Sequence, residues 1–119
     1  MPLTEDDVRR AALALPAVEE HPHFGIPSFR LRTSPSATAM LATLPGDGHA
    51  HVFVDEEAAR AAEAEVPGCE LCWWGKRVTG VRVDLAVAAP AEVEEFLTDA
   101  WLRRASARLR TANPEVGRP

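Results

Sequence analysis

The sequence predicts an α+β domain: a single antiparallel sheet of about five strands packed against helices, in the order α-β-β-β-α-β-β-α. Three observations carry this. Segments at both ends of the chain repeat apolar residues at helical spacing, while shorter runs between them alternate apolar and polar residues as strands do. Neighbouring runs are joined by turns too short for a crossover, Pro45-Gly46-Asp47-Gly48 being the strongest, so the strands must run antiparallel. The length, 119 residues, suits one domain over residues 1–110, with 111–119 as a flexible C-terminal tail.

Thr4 and Asp7 have the spacing of a reciprocal helix cap. Val8, Ala11, Ala12 and Leu15 follow on one helical face, and Pro16 ends the helix. His21 to Pro27 holds two prolines and a glycine and reads as an irregular, extended entry. Phe29 and Leu31 alternate with Arg30 and Arg32 as in a half-buried strand, and Thr33–Ser36 turns into a second strand from Thr38 to Leu44. After the Pro45–Gly48 turn, Ala50 to Val54 pairs back as a third. Asp55 caps a helix reaching Glu65, ended by Pro67-Gly68; its alanines give high propensity and little bulk to bury. Glu70 to Trp74 forms a fourth strand, and Gly75-Lys76-Arg77 turns into a fifth, where Val81, Val83 and Leu85 oppose Arg82 and Asp84. The last helix begins at Pro90, with the apolar stripe Val93, Phe96, Leu97, Ala100, Trp101, Ala105 and Leu109. Glutamates crowd its start and arginines its end, as the helix dipole favours.

Thirteen basic residues, all arginine except Lys76, stand against 18 acidic ones, a net charge of −5. That excludes a surface that coats polyanions all over. Acid is concentrated in residues 55–70, however, and base in residues 71–89 and 103–119, which leaves room for a local basic face of modest affinity. With 46% apolar residues the chain is not of disordered composition. No run approaches the ~18 apolar residues of a membrane span. The acidic stretch Met1 to Asp7 is unlike a signal peptide, so a reduced, cytoplasmic monomer without membrane contact is expected.

All four histidines fall in two His-x-His pairs, His21/His23 and His49/His51, a spacing that in a strand puts both imidazoles on one face as metal sites require. Packing or capping roles are the preferred explanation for both pairs. Cys69 and Cys72 have the spacing of a zinc knuckle or redox pair, but the Trp73-Trp74 that follows suggests a strand, with the two sulfurs on opposite faces. There is no lysine-bearing phosphate loop and no serine-nucleophile signature. A non-enzymatic protein without metal or cofactor is the expectation. Basic residues at the two hairpin regions, Arg30 and Arg32 on one side and Lys76, Arg77 and Arg82 on the other, suit phosphate contacts, and Trp74 suits base stacking.

Several segments then resemble the MmcQ/YjbR family: His21-Pro-His-Phe-Gly-Ile-Pro-Ser-Phe-Arg-Leu, Leu41-Ala-Thr-Leu, Trp74-Gly-Lys-Arg, Gly80-Val-Arg-Val-Asp and Asp99-Ala-Trp101. The resemblance runs from the first helix to about Arg110. It implies a CyaY-like, double-wing fold, a DNA-binding role, and no required cofactor or catalytic residue. The chain departs from the family at Ile26, where a basic residue is common, and at Ser36-Ala37-Thr38, where a Gly-Lys pair is common. Weak, salt-sensitive DNA binding through Arg30, Arg32, Lys76, Arg77, Arg82 and Trp74 is therefore the leading expectation. The alternative is a small-molecule or protein-binding module whose cleft is formed by His21, His23, Phe24 and Trp73 with Trp74.

Overall fold

The computed structural model describes residues 2–118; Met1 and Pro119, the ends of the acidic terminus and of the tail, lie outside the described residues. Along the chain come α1 (Glu5–Leu13), β1 (Val18–His23), β2 (Ile26–Ser34), β3 (Ala37–Thr43), β4 (His49–Val52), α2 (Glu56–Glu65), β5 (Cys69–Trp74), β6 (Arg77–Asp84), α3 (Pro90–Arg104) and α4 (Ala107–Ala112). The strands form one sheet in the order β1-β2-β3-β4-β6-β5, antiparallel throughout. No described helix is long and apolar enough to cross a membrane.

The α+β class and the single antiparallel sheet are as the sequence predicts, and the Thr4–Asp7 capping box is present at α1. The sheet has six strands rather than five, because Val18–His23 is an edge strand that takes in the start of the His21 to Pro27 stretch expected as an irregular entry. Its proline is tolerated there: Pro22 stands opposite Pro27, at a position of the hairpin register where neither strand exchanges ladder hydrogen bonds. The hairpin closes through Phe24 and Gly25, both at positive φ (50° and 85°) as a two-residue type I′ turn requires.

The final helix also differs from its expected length. The apolar stripe holds through Trp101, but Ala105 is extended and Ser106 accepts a hydrogen bond from the Leu109 amide, starting α4 anew. A serine side chain that caps competes with helix continuation, and here the cap wins. Beyond α4, Val116 packs against the core.

The core lies on one face of the sheet. Phe29 and Leu31 of β2, Ala50 and Val52 of β4, and Val81 and Val83 of β6 share it with Val8 and Ala12 of α1, Ala59 and Ala62 of α2, and Phe96, Leu97 and Trp101 of α3. The Trp101 indole N–H donates to the Pro16 carbonyl at 2.8 Å, tying α3 to the end of α1. The residues between these point to the other, helix-free face: Ser28, Arg30 and Arg32 of β2, Thr43 of β3, His51 of β4, and Gly80 and Arg82 of β6. Register shifts after Phe29 and Cys72 bend this face. The β1–β2 and β5–β6 hairpins are the two outer wings of the sheet, with β3 and β4 between them.

Candidate ligand-binding groove

A cavity of about 650 Å³ opens between the wings. Its floor is the helix-free face, where Met40, Thr43, His51, Phe53 and Cys72 come together from β3, β4 and β5. The β1–β2 wing adds His23 and Ile26; the β5–β6 wing adds Trp73, Trp74 and Arg77. The last turn of α3 contributes Arg103 and Arg104. Phe53 reaches the floor because the chain leaving β4 crosses Gly80: a Cβ there would lie 2.1 Å from the Val52 carbonyl oxygen and 2.8 Å from the Phe53 Cα.

Three arginines from two distant elements meet at this groove. Burial, with repulsion from Arg104 and Arg77 opposing the pull of Asp55, holds the Arg103 guanidinium below its ordinary pKa. Arg103 donates from Nη1 to the Phe53 carbonyl at 3.1 Å. Arg77, Arg103 and Arg104 form no ion pair with any carboxylate among the described residues. Trp73 and Trp74 stand beside them, and Trp74 is 82% exposed.

The other arginines expected to meet phosphate are engaged within the protein. Arg32 is held bidentately by Glu19. Arg82 donates to Glu70 and, at 3.0 Å, to Asp47. Arg30 donates from Nε to the Ser28 hydroxyl and from Nη2 to His23 Nδ1, both at 3.1 Å. Arg30 and Arg32 line a separate shallow depression of about 390 Å³, together with His21. Lys76 and Arg77 are exposed at the β5–β6 turn, with Lys76 outside the lining.

The expected His/Trp cleft is only partly assembled. His23 and Trp73 line the groove with Trp74, but His21 lies in the other depression, bonded through Nε2 to Glu19 at 2.7 Å. Phe24 sits at the hairpin tip, 96% exposed, its ring edge-on to His23 at 4.6 Å and outside the lining. Arg103, Arg104, His51, Met40 and Phe53 complete the groove; the sequence pointed to His51 only as half of a metal-type His-x-His pair and to none of the others. The Arg103-Arg104 pair, read only as a helix-end complement, was the available signal.

His51 is the polar group without an explanation in the fold. Its Nε2 is buried and has no hydrogen-bond partner among the described residues. Burial, reinforced by Arg82, holds the imidazole below its ordinary pKa, so it is neutral at pH 7 and offers one donor and one acceptor. The nearby carboxylate, Asp47, accepts instead from Arg82 at 3.0 Å and from the His49 amide at 3.2 Å. No group of three or more metal-ligating side chains occurs among the described residues. The two cysteines are free; Cys69 faces the core, where burial pushes its thiol up to about 11, and Cys72 lies in the groove floor.

No family model matches the chain, and no curated protein matches it. Among solved structures, the chain is similar to the crystal structure of the Deinococcus radiodurans protein DR2400, which carries a DUF419 domain, with a TM-score of 0.72 at 21% sequence identity. The match covers 98% of this chain and 89% of that one. Nearly the whole chain thus has the fold of a DUF419-type domain.

Proposed function

We propose that this chain is a non-enzymatic nucleic-acid-binding protein of the MmcQ/YjbR type, and that its contact surface is the groove between the wings. The observation that carries this reading is the meeting of Arg77, Arg103 and Arg104, unpaired among the described residues, beside Trp73 and Trp74. Clustered cations without anions repel one another, and a phosphate relieves that repulsion. The interleaved indoles supply faces for bases. Lys76, at the adjacent turn, extends the same surface. Arg32 and Arg82 serve the wings instead, since exposing either to DNA would leave bare the carboxylates that now bind it.

Three or four phosphate contacts imply a log–log salt slope of about −3 to −4, hence modest and strongly salt-dependent affinity. Fluorescence anisotropy with labelled mixed-sequence DNA at ~50 mM salt tests this. Binding that weakens with salt and falls in Arg77→Ala and Arg104→Ala is expected. Absence of binding, or binding indifferent to both changes, overturns the reading.

The apolar floor favours a second reading, a small-molecule module using the same groove. Thermal-shift measurements against small acids, nucleotides and divalent metals separate the two: stabilisation by a small ligand with no DNA binding selects the second.

A further inference from the structure

We propose that the groove accommodates one unpaired nucleotide, its base laid on the apolar floor beside Trp73 and its phosphate at Arg77, Arg103 and Arg104. The inference rests on the nucleic-acid reading above and deepens it: the preferred partner is a single strand, not a duplex.

The groove joins two chemistries that a duplex cannot satisfy together. A duplex turns its phosphates outward and keeps its base faces stacked, so it can answer the arginines but not a floor built from Met40, Phe53 and Cys72. An unstacked nucleotide offers an aromatic face and an anion on the same unit. The cavity, about 650 Å³, lies in the usual range of ~300–1,000 Å³ for sites that enclose a small molecule, which suits a nucleotide unit.

Charge distribution points the same way. The three arginines that line the groove, Arg77, Arg103 and Arg104, have no carboxylate partner among the described residues, while Arg32 and Arg82 are paired with carboxylates and Arg30 is bonded to Ser28 and His23. Such a compact anion site, with Lys76 at the adjacent turn, fits the phosphate of that nucleotide and those of its immediate neighbours rather than the long track of a duplex backbone. His51 supplies the remaining element. A neutral imidazole on the floor, with a buried Nε2 that no group among the described residues satisfies, is matched by the donor–acceptor edge of a base.

The test compares an oligothymidylate of about 15 nucleotides, a blunt duplex of equal length and thymidine monophosphate, read by anisotropy and by quenching of tryptophan fluorescence. Trp101 is fully buried, so quenching reports Trp73 and Trp74. The expected result is single-strand binding at least ~10-fold tighter than duplex binding, with quenching. That preference should shrink in His51→Phe and in Trp74→Ala, the latter a surface change that leaves the fold intact. Duplex binding equal to or tighter than single-strand binding overturns the inference and leaves the nucleic-acid reading standing. Saturable quenching by the monophosphate, with neither polymer bound, assigns the groove to a free nucleotide and overturns the nucleic-acid reading. No binding by any of the three overturns both.

Discussion

Arg32 grips Glu19 with both arms of its guanidinium: Nε donates to Oε2 at 2.9 Å and Nη2 to Oε1 at 2.7 Å, across β1 and β2. The same carboxylate accepts from His21. These bonds, Arg32 first, bring the Glu19 carboxyl from its ordinary 4.5 down to about 2. A group whose folded pKa is depressed stabilises the fold above its unfolded pKa and loses that contribution as pH falls through the folded value. Wild type should therefore melt above Glu19→Gln at pH 7, with the difference closing as pH falls from about 4.5 to about 2. The check is a pair of melting curves across that range; a constant offset would mean the ion pair contributes nothing. The pair lies at the surface, so its effect is small.

Gly80 predicts a larger penalty. Its missing side chain leaves room for the Val52–Phe53 backbone, which an added methyl would meet at 2.1 Å and 2.8 Å. Neither contact is with a flexible side-chain end, so the strand itself must move. Gly80→Ala should cost about 1–3 kcal/mol in urea unfolding, and more if β4 cannot shift. A neutral result would refute the close approach of β4 to β6 and the placement of Phe53 on the groove floor.

Phe24 offers the opposite sign. It occupies a left-handed conformation (φ 50°) at a hairpin tip, 96% exposed, where a bulky side chain is strained and Asn is tolerated. Phe24→Asn should stabilise by about 0.5–1 kcal/mol, read as a raised melting midpoint. A fall would show that the edge-on contact with His23 outweighs the backbone strain.

The arginines divide into two groups with different phenotypes. Arg104→Ala should weaken DNA binding evenly across sequences and reduce the salt slope by about 1. Arg82→Ala should leave affinity unreduced at matched salt while lowering the melting midpoint, because it strands Asp47 and Glu70. If the Arg82 variant lost affinity and the Arg104 variant kept it, the contact surface would lie on the hairpins instead.

Legibility in the sequence followed the range of the interaction. The capping box at Thr4 and Asp7, the alternation of Val81, Arg82 and Val83, and the stripe from Val93 to Trp101 are local periodicities that burial reproduces. The strand Val18–His23 escaped because Pro22, which argues against a strand, is harmless on an edge strand at a position that exchanges no ladder hydrogen bond. The continuation of the last helix through Leu109 failed at Ser106, where one side-chain hydrogen bond outweighed an unbroken apolar pattern.

The sequence by itself determined the fold class, the starts of α1, α2 and α3, the turns at Pro45–Gly48 and Gly75-Lys76, and the pool of basic and aromatic residues available to a site. Tertiary structure decided which of them are free. Glu19 and Glu70 lie 13 and 12 residues from the arginines they neutralise, and Asp47 lies 35 from Arg82, so pairing depends on strand register. Arg103 and Arg104 reach Trp73, Arg77 and His51 only because α3 packs on a bent sheet. Charge counts along a chain do not contain that geometry, since Coulomb and hydrogen-bond energies depend on distances in space.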